Sequence, residues 1–97
     1  MPKKKEYVAV WLDDTYARDF VGAQPSELPS RWVATGDLHR EEGFDGIWLS
    51  IDKLEERRTP TACLYTVTPS LCLIRWHGII TIQIIQRGEE AEIRIEP

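Results

Sequence analysis

The sequence predicts a mostly β protein, a small barrel or strongly bent antiparallel sheet, with one short helix in its N-terminal half. Two observations lead there. Apolar residues alternate with a period of two along several short runs, and those runs recur at roughly ten-residue spacing, punctuated by Gly and Pro. The 97 residues, 42% of them hydrophobic, suit one folded domain spanning 1–97.

The first run covers residues 6–12. Tyr7, Ala9 and Trp11 point one way, and Val8, Val10 and Leu12 the other. Both sides are apolar, which predicts a central or covered strand. Asp13 or Asp14 can then cap a helix of about two turns, on which Tyr16 and Phe20 share a face and which Gly22 stops. Pro25 and Pro29 mark residues 24–30 as a connection.

A second strand is expected over 32–38, followed by a charged turn over 39–43 in which Gly43 supplies backbone freedom. Over 44–54, Ile47, Leu49 and Ile51 alternate with Trp48, Ser50 and Asp52, a third strand. Residues 55–61 are polar and include Pro60, so the chain is expected to leave the sheet there. Residues 62–68 and 71–76 read as two strands, or as one long strand bent at Pro69. A turn at Arg87-Gly88 leads to a last strand with Ile93 and Ile95 inward and Glu92, Arg94 and Glu96 outward.

The stretch 78–85 reads Gly-Ile-Ile-Thr-Ile-Gln-Ile-Ile. Ile80, Ile82 and Ile84 lie on one face, and Ile79, Thr81, Gln83 and Ile85 on the other. A strand apolar on both faces must be covered on both, and a short chain has little material for a second layer. A partner subunit is therefore expected, with Ile79, Ile80, Ile82, Ile84 and Ile85 as candidate interface residues of a homo-oligomer.

The net charge of −4 weighs against a protein that grips duplex nucleic acid through many phosphates. The run Lys3-Lys4-Lys5 reads as part of a disordered basic tail, residues 1–5. The apolar stretch 7–12 is too short for a signal core and runs into Asp13-Asp14, and no segment approaches the ~20 apolar residues of a membrane helix. A cytoplasmic protein with no membrane role is expected. Cys63 and Cys72 lack zinc-ligand spacing and sit among apolar residues, so they read as buried, reduced, poorly reactive thiols. A turn centred on Val67-Thr68 would set them opposite each other and permit a bridge, which a reducing compartment disfavours.

No motif of an enzyme is present: no nucleophile elbow, no phosphate-cradling glycine loop, no paired-Cys motif, no zincin helix. The neighbours Asp13-Asp14 and Glu55-Glu56 do not make an acid/base pair, which needs differing environments in a cleft. A non-catalytic protein without cofactor is expected. His39, with Glu41, Glu42 and Asp45 close by, reads as part of a solvated turn and not as a metal site.

Gly36-Asp37-Leu38, then Phe44-Asp45, then the alternating stretch 47–52 stand in the order of the first motif of one family of small β-barrels. Ile74-Arg75-Trp76-His77-Gly78-Ile79, closed by Ile82, stands where its second motif would fall. In these two stretches, about half of the chain, the sequence resembles the Sm-like family. It departs from the pattern in a longer turn between Leu38 and Phe44, in Trp48 where the family has a base-contacting Asn, and in Trp76 in place of Gly. The resemblance implies subunits joined edge to edge, and single-stranded RNA held by stacking and a positive residue at Asp45, Trp48 and Arg75, with His77 beside them. The other reading is a protein-interaction or small-ligand-binding adaptor with no nucleic-acid role, its Trp residues lining a partner groove.

Overall fold

Alternation over the first run and a capped helix after it are both realised. The computed structural model describes residues 6–40, 45–58, 61–68 and 70–85. Its elements are β1 (Glu6–Leu12), α1 (Asp14–Val21), β2 (Arg31–Arg40), β3 (Gly46–Arg58), β4 (Thr61–Tyr65), β5 (Leu71–Arg75), a short 3-10 helix (Trp76–Gly78) and β6 (Ile79–Ile84). The expected basic tail, residues 41–44 of the charged turn, the turn at Arg87-Gly88 and the strand holding Ile93 and Ile95 lie outside the described residues.

All strand pairings are antiparallel, in the order β4-β3-β2-β1-β6, with β5 also on β3. Among the described residues β6 does not pair with the β4/β5 edge, so the sheet is strongly bent and not a closed barrel. Val8, Val10 and Leu12 of β1 face a main core with Trp32, Ala34, Leu38, Ile47, Leu49, Ile51, Leu54 and Ile74. Ala9, Trp11 and Val33 form a second cluster on the other face, with Ile85 against it. The doubly apolar β1 is thus buried on both sides within one chain.

The helix forms where its caps dictate. Asp13 Oδ2 accepts a hydrogen bond from the Tyr16 amide at 3.1 Å, and Gly22, at φ 72°, ends it in the left-handed conformation. Tyr16, Ala17, Phe20 and Val21 turn toward the main core.

The long strand β3 corrects the expectation that the chain leaves the sheet at 55–61. It runs on to Arg58, and β4 begins at Thr61. A bulge makes this possible: Thr35 pairs with Lys53 and Gly36 with Ile51, leaving Asp52 as the extra residue. Before it, Ile47, Leu49 and Ile51 face the core; after it, Leu54 and Glu56 do. Polarity at 55–58 marks a buried ionic site and not a loop.

The far edge of β3 is served twice. β4 pairs with its second half and β5 with its first, while the Ile51 amide donates to the Ser70 carbonyl at 2.8 Å between them. Two strands therefore take the place one long strand would fill. Cys63 pairs with Glu56 and Cys72 with Leu49, so the thiols lie along one edge and not across a hairpin. Neither is in a disulfide; Cys63 is exposed, contrary to expectation, and Cys72 half-buried.

Tight strand crossings use glycine. A methyl group at Gly36 would collide with the Ser50 carbonyl, and one at Gly46 with the Ile74 carbonyl. Gly36→Ala is expected to lower the unfolding free energy by about 1–3 kcal/mol, as overpacking against backbone does, read by urea denaturation. A thiol reagent applied to the native protein should modify Cys63 first and Cys72 more slowly, because burial pushes the Cys72 thiol up and keeps it protonated. Equal rates would contradict this placement.

Candidate functional site

Arg75 and His77 belong to one neighbourhood, built where α1 docks on the junction of β5, the 3-10 helix and β6. The Asp13 amide donates to the Gly78 carbonyl at 2.8 Å, and the Arg75 amide to the Tyr16 hydroxyl at 3.0 Å. His77 meets the Tyr16 ring edge-on, with centroids 5.3 Å apart. A side chain at Gly78 would strike the same ring. Tyr16 is therefore the post against which the second motif-like segment is set.

Asp45 and Arg75 are brought together, at 4.0 Å between Oδ1 and Nη1, and the Trp76 amide donates to the Asp45 carbonyl at 3.0 Å. Both side chains of this ion pair are more than half exposed, so water screens it. Trp48 stands opposite Leu73 on the side of β3 away from the core, while Ile47 and Ile74 face inward. Arg75 is Trp48's diagonal neighbour on that outer side. His77 is exposed but turned to Tyr16. These residues make a rim and not an enclosed pocket.

The candidate interface isoleucines divide. Ile79 and Ile82 pack on the main core, because a register shift at Leu12 sets Ile79 opposite that residue and Ile82 opposite Val10. Ile85 packs on the second cluster. Only Ile80 and Ile84 stand out into solvent, at 68% and 73% exposure.

Beside the rim lies a cleft of about 250 Å³ at the mouth of the bent sheet. It is lined by Glu6 and Val8 of β1, Leu38 of β2, Ile47 of β3, Trp76, and Ile82 and Ile84 of β6. Sequence reasoning did not find it, since it joins both ends of the chain to its middle.

Nor did it find the buried ionic cluster on the opposite flank of α1. Glu56 is 4% exposed, Arg18 6% and Ser30 8%. Glu56 Oε2 accepts from Ser30 Oγ at 2.6 Å and from the guanidinium groups of Arg18 and Arg58 at 3.2 and 2.8 Å. Oε1 accepts from the Tyr65 hydroxyl at 2.8 Å. Asp14 Oδ1 accepts from Arg18 Nε at 2.9 Å, Trp32 Nε1 at 2.8 Å and the Ser30 amide at 3.1 Å. Among the described residues no buried side-chain polar atom lacks a partner.

Burial alone would raise the Glu56 carboxyl; hydrogen bonds from Ser30, Tyr65 and Arg58, with the charge of Arg58, override it and hold the group down at about 2. Asp14 is lowered in the same way, burial being outweighed by Trp32, the Ser30 amide and Arg18. A carboxylate so strongly held is a poor proton acceptor at neutral pH, and Ser30 beside it gains no activation. Chemically the cluster fastens α1 and residues 24–30 to β3 and β4. Among the described residues no group of His, Cys, Asp and Glu is placed to hold a metal ion, and no helix is long and apolar enough to cross a membrane.

No family model, curated protein or solved structure matches this chain.

Glu56→Gln leaves Arg18 and Arg58 without their shared anion and is expected to cost about 3–5 kcal/mol, read by denaturant unfolding. The wild type should carry this stabilisation in full above pH 4.5, the group's ordinary value, and lose it as pH falls toward 2. A melting temperature that stayed flat through that window would refute the assignment.

Proposed function

We propose that the protein is a non-catalytic β module that works by contact, and that copies of it associate through β6. The observation that carries this reading is the exposure of Ile80 and Ile84 at 68% and 73%, on a sheet in which β1, β2 and β3 bury their large aliphatic side chains. Exposed apolar side chains on one strand mark a contact surface. Absence of catalysis is supported by the state of the strongest carboxylate, Glu56, which is saturated with donors and tied to two guanidinium groups.

A second reading, single-stranded RNA held along the rim, is favoured by the diagonal placement of Trp48 and Arg75 on the outer side of β3 and β5. It draws on the Sm-like pattern of Asp45, Trp48, Arg75 and His77. Affinity would come from stacking and local cations, since the net charge of −4 opposes long-range attraction.

Light scattering coupled to size exclusion should report a mass above the 11.2 kDa of one chain, and Ile80→Lys should return it to one chain without loss of fold. A wild type that stays monomeric at the highest soluble concentration would end the self-association reading. For RNA, a labelled A- or U-rich single strand should bind at low salt with a shallow salt slope. Trp48→Ala should then weaken binding by about 1–3 kcal/mol, the usual worth of one stacked base. No binding at low salt and excess protein removes that reading.

A further inference from the structure

The cleft at the mouth of the sheet is apolar on every side but one. Val8, Leu38, Ile47 and Ile82 make its walls, Trp76 and Ile84 are its lips, and Glu6 supplies its charge. We propose that it is a socket for one apolar side chain of a partner polypeptide that carries Lys or Arg next to that side chain. This rests on the contact-module reading and names the occupant.

Three features specify it. At about 250 Å³ the cleft is smaller than the roughly 300–1,000 Å³ of pockets for drug-sized ligands, and it suits a single anchoring side chain. The lips are exposed, Trp76 at 43% and Ile84 at 73%, so apolar surface continues beyond the socket. A polypeptide running on from its anchor covers that surface; a molecule that only fills the socket leaves it wet. Finally, the carboxylate of Glu6 and the ring of Trp76 both attract a cation, and the chain's charge of −4 acts in the same sense. An anionic amphiphile meets the wrong sign.

The test is a titration of the methyl-labelled Ile80→Lys chain, whose substitution lies outside the cleft, so that the outcome does not depend on self-association. If that variant does not fold, dilute wild type replaces it. Three probes are used: a capped alanine peptide with one phenylalanine followed by one lysine, the same peptide with glutamate in place of lysine, and phenethylamine. The lysine peptide should shift the methyl signals of Val8, Leu38, Ile82 and Ile84 saturably, and bind several-fold more tightly than the glutamate peptide. Glu6→Gln should narrow that gap. The comparison reads the sign of the field at the cleft with Lys3, Lys4 and Lys5 included. Any of three results overturns the proposal: no saturable shift at millimolar lysine peptide, a glutamate peptide that binds equally or better, or phenethylamine binding as tightly as the lysine peptide. A wild type that never self-associates while the lysine peptide binds would discard only the β6 association and keep the socket.

Discussion

The charge on Glu56 is the constraint around which the inner face of this sheet is arranged. A carboxylate that is almost wholly out of water must be compensated on all sides, and here the compensation comes from four separate parts of the chain. Arg18 comes from α1, Ser30 from the connection, Arg58 from the end of β3 and Tyr65 from β4. Trp32 is drawn in as well: its indole N–H goes to Asp14, its ring meets Tyr65 at 5.3 Å, and the Arg18 guanidinium lies 5.5 Å over it. Replacing such a cluster by apolar side chains need not cost stability, but breaking it at one member does. Its effect is to admit one arrangement of helix and sheet and to penalise others.

Two devices let a short chain satisfy that constraint. The bulge at Asp52 turns Glu56 inward after Ile51 has already used the inward side, a phase change that strict alternation would forbid. On the opposite flank, Tyr16 fixes the helix against the 3-10 turn through its hydroxyl and its ring. α1 is thereby held at both flanks, by ions on one and by an aromatic post on the other. Among the described residues the cleft lies at the mouth of the sheet, with Trp76 and Ile84 in its lining.

Much of the fold was legible because it is local. Period-two alternation found β1, β2 and the first half of β3, and Asp13 and Gly22 marked the limits of the helix. The failures are all non-local. Glu55 to Arg58 read as loop because their partners, Arg18 and Ser30, lie far back in the sequence, and no one-dimensional pattern announces a buried charge. Doubly apolar β1, by contrast, read as a central or covered strand, and it lies between β2 and β6 with both faces buried within the same chain. For the isoleucine strand the faces were misassigned after a single register shift, which no propensity encodes. Asp45 and Arg75, singled out in the sequence, lie 4.0 Å apart, but the cleft beside them joins residues from 6 to 84 and was invisible.

The pairing of β1 with β6 has a consequence for the life of the chain before it is complete. Trp11 donates its indole N–H to Gln83, 72 residues later, and β1 has no partner on that edge until β6 exists. During synthesis the first strand emerges early and its closing partner late. Val8, Val10 and Trp11 must therefore wait, apolar and half-paired, while the strands between β1 and β6 are made. That edge stays open until β6 has left the ribosome, an exposure absent from the finished molecule.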